Sequence, residues 1–346
     1  MDTGNPPLDA LGEAAAVKPD SRRTGVRPRD RTWLALLGIV LVAVLVRQVG
    51  TEDLLARLRP LGTRAPLALW PFALIAAIDG WAWSFTLPRG PGRPGVPELA
   101  LVRLAGESVN NLTPTAYLGG EPVKAMLLVD RGLDAADGAV SVIVAKTALT
   151  IGQVVFVLLG IVVALERFGL LRSGALALAG LCLAGAVFTA LLVRLQQRDP
   201  LSRAVALARR IGMHGAVVDR AAAAAPRVDR DLRAFYSARG ADFGASTLLH
   251  FVGWLAGTIE MKVFADLVGL PIGWRDAFLV ESLSQPLSAG AAVVPGALGI
   301  REAGGVAIFR LLGLDESAGL AVWILRRARE AFYGAIGLLF LVARRR

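Results

Sequence analysis

The chain has 346 residues, is 55% hydrophobic and carries a net charge of +10, with a mean hydropathy of +0.56. This composition excludes an ordinary soluble domain and points to a membrane protein. In a soluble chain such positive charge would suggest nucleic acid; between apolar spans it marks cytoplasmic loops and anionic lipid, so no nucleic-acid partner is expected. A single cysteine, Cys182, excludes an intrachain disulfide and a cysteine-based metal site.

Residues 1–31 are rich in Pro, Gly and Arg and lack periodicity, which predicts a disordered cytoplasmic tail. Arg22, Arg23, Arg27, Arg29 and Arg31 precede an apolar span at 32–49. No small-residue cleavage site follows, so the span reads as a retained anchor. Residues 51–64 are amphipathic and suit the outer interface. A second span covers 65–87, with Trp70, Trp81 and Trp83 as interface anchors and Asp79 inside it. Helix packing is the better reading of Asp79, proton carriage the lesser one. Spans at 138–165 and 171–193 follow. The segment 194–240 holds Arg198, Arg203, Arg209, Arg210, Arg220, Arg227, Arg230 and Arg233, the strongest inside signal in the chain. Within it, 201–211 and 217–235 read as amphipathic helices on the inner surface. A fifth span covers 243–268, with His250 read as interfacial, and a last one covers 318–342 before Arg344, Arg345 and Arg346.

Two stretches break the pattern of plain spans. In 99–130, Pro114 and the pair Gly119-Gly120 interrupt two short helical runs, 99–112 and 121–129, each too short to cross a bilayer. The second stretch, 277–313, carries Pro295 and Gly299. Both read as re-entrant hairpins, with Pro114, Gly119, Gly120, Pro295 and Gly299 at their tips; broken backbone at that depth must be covered by protein or line a wet cavity. The two stretches share a register. A shift of 181 residues maps Pro114 onto Pro295, Glu121 onto Glu302, Gly132-Leu133-Asp134 onto Gly313-Leu314-Asp315, Gly138 onto Gly319 and Lys146 onto Arg327. An internal duplication follows, with a first membrane repeat at 32–165 and a second at 171–346. Six crossings place the hairpins on opposite sides, so the repeats are inverted, as in transporters. The expected fold is an all-α integral membrane protein of about six transmembrane helices plus two re-entrant hairpins.

An ionisable group within a membrane is costly and faces a partner or a cavity. The candidate lipid-binding residues are Glu107, Asn110, Asn111, Glu121, Lys124, Lys146, Glu281, Gln285, Arg301, Glu302, Arg326, Arg327, Arg329 and Glu330. Lys146 and Arg327 lie about 12 Å inside their spans by helix rise, and they enter from opposite faces. Arginine grips a phosphate with two parallel bonds, and helix N-termini beside Gly119-Gly120 and Gly299 add backbone donors. The alternative is internal pairing, Glu302 with Arg327 and Glu121 with Lys146. For Asn110, Asn111, Ser284 and Gln285, hydrogen bonds that hold the hairpins compete with ligand contacts. No metal cluster, nucleophile elbow, phosphate loop or dinucleotide fingerprint is visible, so no cofactor is expected.

The motifs GESVNNLTP and GGEPVKA, and later VPGALGIREAG, resemble the paired signatures of the lysylphosphatidylglycerol synthase transmembrane, or flippase-like, family. The likeness runs from about residue 32 to the C-terminus, and the GESVNN form is similar to the subgroup associated with hopanoid biosynthesis. In the family's two-part members this region is implied to move an aminoacylated lipid between leaflets, while a soluble domain makes it. No such domain is seen here, so the resemblance argues against lysyl transfer by this chain. Thr115 follows Pro114 where the commoner version has a basic residue, so a headgroup preference is not carried over. The resulting expectation is a lipid flippase acting on phosphate-bearing or anionic lipids. The alternatives are an intramembrane enzyme acting on a polyprenyl or hopanoid lipid, with Glu107 or Glu121 as base, and a scaffold for a lipid-biosynthesis enzyme.

Arginine bias places the tail, the 194–240 segment and the C-terminus on the cytoplasmic side of a bacterial inner membrane. Single cysteines introduced within 200–239 should resist a membrane-impermeant thiol reagent added outside, and one beside Gly169 should react. Efficient external labelling within 200–239 would reverse the orientation.

Overall fold

The computed structural model describes residues 51–90, 92–112, 119–290 and 299–344, and no strand occurs among them. The expected tail at 1–31, the span at 32–49 and the proline apices Pro114 and Pro295 lie outside the described residues. A short helix α1 (Thr51–Leu58) runs into a 3-10 segment (Arg59–Ala68) and then α2 (Trp70–Ser84). Next come α3 (Val96–Leu112), α4 (Gly120–Val129), α5 (Ala135–Arg167) and α6 (Ala175–Gln196). The basic segment folds as α7 (Pro200–Arg210) and α8 (Ala216–Ala238). The chain ends with α9 (Gly240–Leu267), α10 (Trp274–Gly290), α11 (Ile300–Leu311) and α12 (Glu316–Ala343).

Four stretches among the described residues are long and apolar enough to cross a membrane: Leu61–Ser84, Ala135–Arg167, Ala175–Gln196 and Gly240–Leu267. The last expected span is present as α12, whose 28 residues reach about 42 Å. Arg326, Arg327, Arg329 and Glu330 interrupt its apolar run and keep it outside that set. The interfacial segment is shorter as an α-helix than expected: α1 ends at Leu58, and the 3-10 segment that follows is kinked inside at Gly62, with a φ of 38°. Of the two basic helices, α8 does not simply lie on a surface. Its Val228, Leu232 and Phe235 are buried against Ala136, Val140 and Val144 of α5. The Asp229 carboxylate accepts from the Leu201 and Ser202 amides, which pins the start of α7 to α8.

The Gly-Leu-Asp triplet is the hinge of each copy. Gly132 (φ 91°) and Gly313 (φ 73°) take the left-handed conformation that ends α4 and α11. The following leucines close the turn, Leu133 N–H donating to Leu128 C=O and Leu314 N–H to Phe309 C=O. Asp134 and Asp315 then cap the next helices, accepting from the Ala136 and Ala318 amides at 2.9 Å. Each of these details recurs at the 181-residue shift, apart from the cap donor, which lies one position further on in the second copy.

The packing follows the same shift. Within each copy the first hairpin helix packs on the second, and the second on the long helix after it: α3 on α4 on α5, and α10 on α11 on α12. Across copies the contacts are exchanged: α3 packs on α12, and α10 on α5. Helices α2 and α9 cross each other at the centre and pack on α3 and α10 respectively. The contact of α5 with α9 is the main departure from this symmetry. In contrast, α6 contains no buried residue and touches only α5 and α8 among the substantial helix contacts.

The α3–α4 crossing requires glycine. A Cβ on Gly120 would stand 1.9 Å from the Gly106 carbonyl oxygen, which is backbone and cannot swing aside. Gly120→Ala should therefore lower the thermal unfolding midpoint in detergent, by an amount equivalent to about 1–3 kcal/mol of overpacking. Gly180→Ala on α6, with nothing within 4 Å, should leave it unchanged or raise it slightly. Equal effects from the two changes would refute the tight crossing.

Candidate functional site

The α2–α9 crossing brings a buried carboxylate from each helix toward the centre. Asp79 of α2 is 2% exposed and Glu260 of α9 is 1% exposed. They are 181 residues apart, the same shift that relates the two glycine- and proline-broken stretches. Each carboxylate is met by an arginine from its neighbour. Arg103 of α3 pairs with Asp79, and its Nε also reaches Glu107 at 2.8 Å. Arg329 of α12 donates to Glu260 at 2.7 Å, with Arg326 at 3.7 Å. Asp79 also accepts from His250 Nδ1 at 3.0 Å. Close approach to α9 is possible because Gly253 lies there: a Cβ would stand 2.7 Å from Asp79 Oδ1.

The second copy continues the network through α10 and α11. Arg326 grips Glu281 with two parallel bonds, of 2.7 and 2.8 Å, the geometry that suits a guanidinium to a carboxylate. Gln285 Nε2 donates to Glu281 Oε1 at 2.8 Å, and Gln153 of α5 reaches Gln285 at 3.4 Å. Arg301 pairs with Glu330 at 2.9 Å, and Glu330 also accepts from Arg327 at 3.0 Å. The indole of Trp323 lies under Arg326, 5.2 Å from the ring centre, and Phe72 lies under Arg329 at 4.1 Å. Buried charges that lack such partners would cost several kcal/mol each.

These side chains enclose a cavity of about 330 Å³ lined from α2, α3, α4, α5, α9, α10, α11 and α12. Five carboxylates line it (Asp79, Glu107, Glu260, Glu281, Glu330), and so do six cations (Arg103, Lys124, Lys146, Arg301, Arg326, Arg329). Phe72, Ile75, Leu149, Trp254 and Tyr333 supply an apolar wall. A sixth carboxylate, Glu121, stands in the adjoining small cavity and balances the count, and it is shared by Lys124 at 3.1 Å and Lys146 at 3.4 Å. The Lys146 side chain is one-third exposed, against 11% for Lys124, and is the more accessible of the two. Buried Nε donors of Arg301, Arg326 and Arg329 and the Glu260 Oε1 acceptor have no hydrogen-bond partner among the described residues.

The structure brings together most of the residues singled out from the sequence. Glu107, Asn110, Asn111, Lys124, Lys146, Glu281, Gln285, Arg301, Arg326, Arg329 and Glu330 line the cavity. Glu121 lines a small adjoining one, and Glu302 and Arg327 line neither. Glu302 is spent on structure: its carboxylate accepts from the Gly299 amide at the start of α11 and binds Arg327. The internal pairs weighed as the alternative, Glu302 with Arg327 and Glu121 with Lys146, both form. Asn110 staples the hairpin, accepting from the Gly120 amide at 2.6 Å while it lines the cavity. Gly119 and Gly120 stand at the start of α4 and Gly299 at the start of α11.

Three participants escaped the sequence reading. Arg103 sits four residues before Glu107, an (i, i+4) spacing that pairs opposite charges on one helix face. Glu260 lies inside an expected span and is the shifted counterpart of Asp79. Extending the 181-residue register backward past the proline would have found it. His250, read as interfacial, is 3% exposed and bonded to Asp79.

Comparison with protein-family models gives a match to the lysylphosphatidylglycerol synthase TM region over residues 33–337. Comparison with curated proteins and with solved structures gives no match. The matched region contains every helix that builds the cavity, α12 apart from its last turns, and the signatures at 106–125 and 294–304 fall inside it. The chain therefore belongs to the family of the lysylphosphatidylglycerol synthase TM region.

Proposed function

We propose that this protein moves a phosphate-bearing or amphipathic lipid between the leaflets of a bacterial inner membrane. The observation that carries the reading is the charged cavity, lined from both shift-related halves, in which Lys124 and Lys146 share one carboxylate and Lys146 is one-third exposed. Such groups are tolerated at membrane depth when they face a wet pathway. The pairs α3–α4 and α10–α11 are read as hairpins that enter the membrane and return, since α4 and α11 reach only about 15 and 18 Å. The two copies are read as inverted, which places a central site where each side of the membrane can reach it in turn. Binding chemistry follows from the lining. The lysines offer ammonium donors to a headgroup anion, the arginine Nε atoms add further donors, and the apolar wall suits glycerol or acyl carbons.

The family match is to a membrane region that accompanies lipid aminoacylation, and translocation rather than transfer is the activity assigned to this chain. Reconstitution into vesicles with fluorescent phospholipid tests it. Lipid should become accessible in the opposite leaflet at a rate that depends on protein, with its mass unchanged. Lys146→Gln should slow the rate roughly tenfold, the scale of one lost charge-assisted bond, and should elute as the parent does in gel filtration. Arg327→Lys, which acts on a pair behind the cavity, should alter stability more than rate. A change in lipid mass would instead assign an intramembrane enzyme acting on a polyprenyl or hopanoid lipid. Absence of both would favour a scaffold for a lipid-modifying enzyme.

A further inference from the structure

The Asp79–His250 pair is not explained by helix packing. One imidazole nitrogen, Nδ1, is 3.0 Å from Asp79 Oδ1. A carboxylate only accepts, so Nδ1 carries the hydrogen and Nε2 keeps its lone pair. That Nε2 is buried and has no hydrogen-bond partner among the described residues. Leaving a buried acceptor unsatisfied is costly, and a phenyl or leucyl side chain would fill the same position without that cost. His250 also lines a small cavity of about 30 Å³, room for a water or two. This cavity adjoins the large one, since Asp79, Arg103, Lys124 and Lys146 line both.

The other copy supplies a comparison within the same molecule. Glu260, the counterpart of Asp79, faces Arg329 and Arg326, which stay charged at any pH the protein meets. Only the first copy pairs its central carboxylate with a group that can gain or lose a proton near neutrality. We propose that His250, oriented by Asp79, is a proton-binding site of this protein. A hydronium ion reaching the small cavity gives its proton to Nε2: one O–H bond breaks, the N–H bond forms, and neutral water is left beside an imidazolium that still donates from Nδ1 to Asp79.

The consequence for the large cavity rests on the proposed translocation. Arg103 divides its donors between Asp79 and Glu107. An imidazolium beside Asp79 competes with Arg103 for that carboxylate and repels the guanidinium. Arg103 then shifts its weight to Glu107, whose side chain is 31% exposed and lines the large cavity. Protonation so moves positive charge toward the headgroup space. The surrounding charges act in both directions: Asp79 and Glu121 favour the imidazolium, while Arg103, Lys124 and Lys146 oppose it. Glu260 with Arg326 and Arg329 stands about 15 Å further along α9 by helix rise. Glu281 of α10 meets α9 at Gly257, about 10 Å along α9 from His250 by the same rise.

The sequence makes the test clean, because it holds only two histidines, His214 and His250. In an untagged His214→Gln protein, labelled with 15N-histidine and held in lipid nanodiscs, all imidazole signal comes from His250. The expected result is a neutral Nδ1–H tautomer at high pH that converts reversibly to the doubly protonated form when the sample is acidified. Asp79→Asn should abolish the tautomer preference. A signal that keeps one protonation state over the whole pH range in which the protein stays folded overturns the site. In vesicles, translocation by the parent should vary with pH at least threefold over the same range, and His250→Gln should flatten the profile. A titrating imidazole with an unchanged profile in His250→Gln would overturn the coupling. Absence of lipid movement in every protein would refute the translocation reading, and the titration would still decide the proton site.

Discussion

Charge buried in an apolar surround must be neutralised within a few ångströms, and that requirement shapes the centre of this protein. Asp79 and Glu260 face inward from two helices that cross there, and neither is tolerated alone. Their partners come from α3 and α12, which pack against each other across the two copies. The ion pairs thus fix which helices must lie side by side. Packing alone would leave that choice open, since small and aliphatic residues of a membrane helix fit many neighbours. The network also has a limit as a source of stability. A buried pair seldom contributes more than a well-packed apolar pair, so its retention is better explained by use.

Both halves related by the 181-residue shift contribute to the cavity. Exchanged contacts, α3 with α12 and α10 with α5, mean that neither copy closes a cavity by itself. Each supplies half a wall. The two halves also differ where they meet the cavity: the first brings Lys124 and Lys146 beside Arg103, while each cation from the second is an arginine. The second-half arginines are held by two-pronged bonds and stacking on Trp323 and Phe72, whereas the lysines share one carboxylate. The first half is therefore the looser side, and the second the fixed one.

Much of this was legible in the sequence. Apolar runs located α5, α6 and α9 to within a few residues, and the Gly-Leu-Asp triplet announced the turn between each short helix and the long one after it. The shared register of Glu121 with Glu302 and Lys146 with Arg327 identified two true ion pairs. It also misdirected, because equivalence in sequence does not give equal access. Glu302 is drawn onto the amide at Gly299, so Arg327 turns to it and away from the cavity. Arg103 and Glu260 were missed for a different reason. Each is a lone charge in an apolar window, and only the partner across space gives it meaning. That partner is 24 residues away for Arg103 and 69 for Glu260.

One element stands outside all of this. Helix α6 is long and apolar enough to cross, yet it buries no residue. In the proposed topology its contribution is parity. Counted with the second repeat, it gives that unit three crossings, and an odd number of crossings per unit reverses the direction in which a tandem copy is threaded. A tandem duplication then gives antiparallel halves without any change inside either half. Such a helix is constrained in length and hydrophobicity but hardly in sequence. Its surface is left to lipid, and drift there costs the central network nothing.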